Sequence, residues 1–187
     1  MLRGKILADL RQKKGKEVVA RLCDIRPTRT QRQECHAAVE RAVRDNVFKH
    51  EKNPLSVTGE HVKECCEIID NVFFDGWIKA NIEYTTGVNQ EGTKCKAGDC
   101  TPSYTTRHGV LKKARIQFNA DLIATAVPVV AGEITPQKCN GEVCRDIVAI
   151  LVSVLKHEIV HLIMHHFLPL SDRKAKGAGS RMYKSHG

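Results

Sequence analysis

The sequence reads VCRDIVAILVSVLKHEIVHLIMHHF from Val143 to Phe167, and this stretch decides the fold. Its apolar residues fall on nearly every side of a helix, and Pro169 follows shortly after it. A helix that is apolar all round belongs in a protein core, and proline cannot continue a helix. We therefore predict one central, buried helix that ends before Pro169.

This helix carries an H-E-x-x-H motif at His157, Glu158 and His161. Residues four apart share a helical face, so both imidazoles can reach one zinc ion while Glu158 points toward the open side of the metal. The motif predicts a zinc peptidase in which Glu158 moves the proton of the attacking water. Two alternatives without catalysis are also consistent with the motif. The histidines could be helix-face groups satisfied by hydrogen bonds, or they could belong to a structural zinc site in which protein ligands fill all four coordination positions.

A catalytic zinc ion takes a third protein ligand. His165 continues the helical face but lies about 12 Å from His157 along the axis, which is too far for one metal. No glutamate follows Glu158, so the remaining candidates are Asp172 and His186. We favour His186, because a returning segment can bring it beneath the metal.

The rest of the chain alternates between helical and extended patterns. Apolar residues at three- and four-residue steps predict helices over residues 31–49 and 59–73, the second capped by Thr58. Alternation predicts strands over 78–85 and 113–119, and the Gly- and Thr-rich segment 87–109 predicts a long loop or loose hairpin. A helical turn opened by Asn119 or Asp121 and a loop over 132–141 complete the pattern. The expected fold class is α+β, with helices packed on a small sheet.

Length and charge suggest one domain with a basic extension. The chain has 187 residues and a net charge of +9, and residues 1–50 hold 13 Lys/Arg against 6 Asp/Glu, or +7 of that charge. We predict a basic, largely helical N-terminal arm over 1–50 and a metallopeptidase domain over 51–187. Such an arm suits nucleic acid or another polyanion, although many basic helices are only solvated surfaces.

The start of the chain carries charges at Arg3, Lys5 and Asp9 before any long apolar region forms, which predicts an intracellular protein. The longest apolar run, 147–155, is shorter than the ~18 residues of a membrane span, so no membrane partner is expected.

In an intracellular protein, the eight cysteines are expected to be mostly reduced thiols. Four of them form pairs at the same spacing, Cys95 with Cys100 and Cys139 with Cys144. These pairs predict either a second metal site or a clip joining two loops, although zinc sites usually have a tighter spacing.

Three stretches resemble the SprT-like metallopeptidases, the family that includes the Spartan proteases of DNA–protein crosslinks. They are NVFFDGWI at 71–78, ARIQFNADLI at 114–123 and LKHEIVH at 155–161, and His186-Gly187 resembles a later ligand segment of the family. The family continues beyond that segment, whereas this sequence ends at Gly187, so a domain cut short there is expected.

The resemblance implies a minimal zincin, with zinc held by His157, His161 and His186. It also implies proteolysis of proteins attached to DNA, with the basic arm as the DNA contact, and an intracellular site of action that would be the nucleus. The rival interpretation is a zinc-stabilised nucleic-acid-binding or scaffold module without turnover. Glu158 argues against that rival, because only hydrolysis needs its carboxylate.

Overall fold

The computed structural model describes residues 28–54, 56–74, 76, 78, 81–87, 90–91, 94–104 and 111–167. Its helices are α1 (Arg29–Asn46), α2 (Gly59–Phe74), α3 (Ala120–Ala126) and α4 (Ile147–Phe167). Its strands are β1 (Ile82–Thr86), β2 (Gln90–Glu91), β3 (Lys94–Cys95), β4 (Gly98–Tyr104), β5 (Leu111–Phe118), β6 (Gln137–Cys139) and β7 (Glu142–Cys144). The α+β class predicted from the sequence is confirmed.

The main sheet has three strands in the order β1-β5-β4, with β1 parallel and β4 antiparallel to β5. In the central strand, Ala114, Ile116 and Phe118 are buried and alternate with the more exposed Lys113, Arg115 and Gln117. This period of two places one face of the sheet against the helices and the other toward solvent.

Helix α4 is the centre of the core, as its composition predicts. The largest of the fully buried side chains among the described residues come from α4, the sheet, α2 and α1, and they are Phe118, Ile69, Ile116, Ile150, Leu151, Leu155, Ile159, Leu162 and Val39. The segment 147–165 has the length and hydropathy of a membrane span, yet 78% of its most apolar 18-residue stretch is buried inside the protein. It is a core helix by that measure.

The segment predicted as a basic arm divides at residue 28. Residues 1–27 lie outside the described part of the chain, whereas α1 contributes Val39 and Val43 to the common core. Thr28 caps α1 through a reciprocal capping box with Gln31. Helix α1 therefore begins at a sequence signal and is held by the same apolar cluster as α2 and α4.

Two sequence predictions are corrected. The long loop or loose hairpin predicted over 87–109 contains the short antiparallel β2–β3 pair, in line with the hairpin alternative. It also contains strand β4, which was not predicted and which pairs with β5 despite the low strand propensity of Gly98 and Pro102. The second correction is the β6–β7 hairpin over residues 137–144. It takes in the end of the loop expected over 132–141 and the first two residues, Val143 and Cys144, of the predicted long helix. Asn140 and Gly141, with φ of 49° and 82°, make the tight turn that such a hairpin requires.

Candidate metal centre

Helix α4 begins at a capped and anchored end. The Asp146 carboxylate accepts the backbone N–H of Ala149 at 2.9 Å, and the Arg44 guanidinium donates to both Asp146 oxygens at 2.9 Å. The Asn53 side chain accepts the N–H of Ile147 at 2.9 Å. These bonds satisfy backbone donors that a helix start leaves open, so the register of α4, and with it the H-E-x-x-H motif, is set from residues 44 and 53.

His157 and His161 turn their rings toward each other. Their Nε2 atoms lie 2.9 Å apart, and the ring centroids are 4.6 Å apart at an interplanar angle of 80°. Both side chains are partly exposed, although the helix around them is buried. Two imidazole nitrogens therefore converge on one point at the surface of an otherwise apolar helix.

This geometry fits a zinc ion with a small adjustment. Two nitrogens bound to one tetrahedral zinc ion lie about 3.3 Å apart, given a Zn–N distance near 2.05 Å. The observed 2.9 Å is a few tenths of an ångström shorter, which a small side-chain rotation can absorb. The same distance also suits a hydrogen bond between the two rings, with the proton on either nitrogen.

The third ligand is not placed. Within the described ranges, no group of three His, Cys, Asp or Glu side chains is arranged to hold a metal ion. Asp172 and His186, the two candidates from the sequence, lie outside the described residues. His165 lies one turn beyond His161, and its Nδ1 is 2.5 Å from the Tyr104 hydroxyl, so that ring is engaged with strand β4.

Glu158 is only 6% exposed, and its side chain lies against Gly98 of strand β4. Burial raises its pKa to about 7, with a further rise from Asp99 and a smaller opposing effect of Lys96. Desolvation disfavours the carboxylate, and a nearby negative charge adds to this. A carboxyl group with a pKa near neutrality can both accept and return a proton at physiological pH.

Strand β4 lies close against α4 at Gly98. A Cβ atom built on Gly98 would lie 2.5 Å from Val154 Cγ1 and 3.0 Å from Glu158 Oε1. Glycine is therefore required here by the close contact between backbone and helix. This contact is also what buries Glu158.

Replacing Gly98 with alanine is expected to destabilise the protein by about 1–3 kcal/mol, the usual range for an overpacked core. Val154 is β-branched and buried, so β4 must shift rather than the valine. Urea unfolding measures the effect, with Ser103→Ala on the exposed face of the same strand as the control. Equal stability of Gly98→Ala and the wild type would contradict the contact.

Several groups around Glu158 escaped sequence reasoning. Lys96, Gly98 and Asp99 lie about sixty positions before Glu158 in the chain, in a segment that the sequence pattern marked as a loop. The Cys100 thiol is also near Glu158. Burial raises the pKa of this thiol to about 12, and the negative charge of Glu158 contributes a smaller part of the rise. A glycine followed by an acidic residue is too common to signal this environment, so only the pairing of β4 with β5 identifies it.

Comparison of the chain with models of protein families, with curated proteins and with solved structures found no match. The likeness to the SprT-like family therefore stays a prediction from the three sequence stretches.

Proposed function

We propose that this protein is a zinc-dependent metallopeptidase of the SprT-like type, a minimal zincin in which His157 and His161 hold the metal. The observation that carries the proposal is the convergence of their Nε2 atoms to 2.9 Å on a helix fixed in the core. Burying Glu158 and partly burying the two imidazoles in an apolar helix is costly without a partner such as a metal ion. His186 is proposed as the third ligand on the sequence argument alone.

Bound zinc would supply Lewis-acid chemistry, namely activation of water and polarisation of a carbonyl group. Glu158 would accept the proton of the attacking water on its carboxylate and pass it to the leaving amine. Its position one residue after His157 places it beside the two ligands without making it one of them. The contact with Gly98 restricts where that carboxylate can move.

The proposed substrate is a protein in extended conformation. Among the described residues, β5 is the one strand that pairs with β4, so β4 is an edge of the sheet. The Ala114 N–H donates to the Asn81 carbonyl, so the backbone groups of Ala114 face β1 and not β4. In an antiparallel pair, the residue opposite such a position also directs its backbone groups away from the partner strand. Pro102 lies opposite Ala114, and Cys100 and Gly98 follow at steps of two, so all three direct backbone groups away from β5. An extended peptide can pair with such an edge, next to Glu158.

The substrate class is proposed to be proteins attached to DNA, in an intracellular and nuclear setting. Two arguments support it: the resemblance of the three motifs, and the charge of +7 on residues 1–50. Lys and Arg neutralise phosphates and release counterions, so binding to DNA should weaken steeply with salt. The zinc chemistry does not depend on this choice of substrate.

Zinc content tests the metal site. Purified wild-type protein is expected to hold one equivalent of zinc, and His161→Ala is expected to lose it together with casein cleavage, measured with and without single-stranded DNA. His165→Ala is the matched control one turn along the same helix, and it should retain zinc. Wild-type protein without stoichiometric zinc would overturn the proposal, and zinc without any cleavage would favour the scaffold interpretation.

A further inference from the structure

The β6–β7 hairpin carries two cysteines on one face. In its register Cys139 lies opposite Glu142, and Gln137 lies opposite Cys144. Opposed residues of an antiparallel pair share a face, and so do residues two apart on one strand, so the cysteines are diagonal neighbours. The two-residue turn at Asn140-Gly141 holds this arrangement.

The two cysteines differ in exposure. Both are free thiols. Cys139 is half-buried, whereas Cys144 is 1% exposed. One thiol is thus open to a small solute, and its neighbour on the same face of the hairpin is shielded.

The sequence left two interpretations for this pair: a metal site or a clip. A metal site needs further ligands, and the described part of the chain offers no cluster of three ligating side chains at this hairpin. Two cysteines that are diagonal neighbours on one face of a hairpin, one of them partly exposed, suit a dithiol that can close into a disulfide instead.

We propose that Cys139 and Cys144 form a redox-active dithiol, which hydrogen peroxide converts into a disulfide across the β6–β7 hairpin. This proposal is independent of the metal centre. It assigns the pair a two-electron oxidation whose product is reversed by a dithiol reductant such as dithiothreitol.

The oxidation proceeds in two steps. Cys139 loses its proton, and its sulfur attacks peroxide; an S–O bond forms, the O–O bond breaks, and the leaving hydroxide takes up a proton to become water. Cys144 then gives up its proton and attacks the sulfur of the Cys139 sulfenic acid; the S–S bond forms, the S–O bond breaks, and a second water leaves. The two sulfurs together lose two electrons, which the peroxide accepts.

The hairpin that carries the two cysteines is bonded to helix α4. The Cys139 carbonyl accepts a hydrogen bond from Ser153 Oγ at 3.2 Å, and Asn140 Nδ2 donates to the Ser153 carbonyl at 3.0 Å. Glu142 pairs with Lys156 at 2.8 Å. The hairpin is therefore attached to α4 at two successive turns just before His157.

Peptide mass spectrometry tests the proposal on the full-length wild-type chain. Trypsin cleaves after Lys138 and Arg145, so both cysteines fall in the peptide 139–145. After graded peroxide treatment and alkylation of free thiols, this peptide is expected to lose two hydrogen atoms and escape alkylation. Cys35, also half-buried, reports from the separate peptide 33–41, which should remain alkylated at that dose.

A trapping variant gives a second readout. In Cys144→Ser the sulfenic acid on Cys139 has no partner, so dimedone should label it there and not in the wild type. Dithiothreitol should restore both thiols of the wild-type peptide. The proposal is overturned if that peptide stays fully alkylated while the Cys35 peptide is oxidised, or if it gains oxygen atoms instead of losing hydrogens.

Discussion

Replacing Glu158 with glutamine is expected to lower kcat/KM for peptide hydrolysis by about 10²- to 10⁴-fold, the usual contribution of a positioned general acid–base group. This loss corresponds to about 3–5 kcal/mol of transition-state stabilisation. Glutamine has nearly the same shape and can occupy the same space beside Gly98, but it cannot take a proton from water. Because Glu158 is not one of the proposed zinc ligands, zinc content should stay at the wild-type level.

Steady-state cleavage of casein by wild-type protein and Glu158→Gln, with zinc quantified in both, measures this effect. Glu60→Gln, on the exposed first turn of α2, is the matched charge-removing control and should cleave as the wild type does. A glutamine variant that retains zinc and cleaves at the wild-type rate would remove Glu158 from the chemistry. Loss of zinc together with activity would instead make Glu158 a ligand.

In metal-free protein, the same substitution is expected to raise the free energy of unfolding at pH 8 by about 3 kcal/mol. The pKa of Glu158 is about 7 in the folded protein, against an ordinary value of 4.5. Below pH 4.5 the group is protonated whether the chain is folded or unfolded, so it contributes no difference. Between pH 4.5 and 7 only the unfolded chain releases the proton, so stability falls as pH rises, at about 1.4 kcal/mol for each unit of pKa difference.

Urea unfolding in the presence of a chelator, at pH 4.5 and pH 8, measures this difference between variant and wild type. The histidines titrate in both proteins, so their effect cancels in the comparison. Glu83→Gln is the control, because the hydrogen bond from Lys113 lowers the pKa of Glu83, and glutamine there should bring no gain at pH 8. A Glu158→Gln variant with no added stability at pH 8 would show that this carboxylate is not strained by burial.

Local signals in the sequence were sufficient for much of the secondary structure. Thr58 stands directly before helix α2, and Asn119 caps α3 by accepting the N–H of Leu122. These caps act within one helical turn, so neighbours in sequence are also neighbours in space. The spacing of His157 and His161 is local in the same sense, and their shared face follows from helix geometry alone.

Segments with weak local preference were the ones predicted wrongly. Strand β4 contains Gly98 and Pro102, and the hairpin strands β6 and β7 are three residues each. Such segments become strands because a partner strand supplies hydrogen bonds and a helix covers one face, and no local pattern reports either contact. Val143 and Cys144 were predicted in the long helix but belong to strand β7 for the same reason. Asp146, which is held by Arg44, caps the helix so that it begins only at Ile147.

What the sequence by itself determined is the buried helix and the motif on it, because a period of 3.6 residues brings His157, Glu158 and His161 together without help from the rest of the chain. What only the tertiary structure decided is the environment of Glu158: its contact with Gly98 and the charges of Asp99 and Lys96. These depend on residues far apart in the chain that meet only when β4 joins the sheet. Desolvation and charge act through space, so the pKa of Glu158 is a property of the fold.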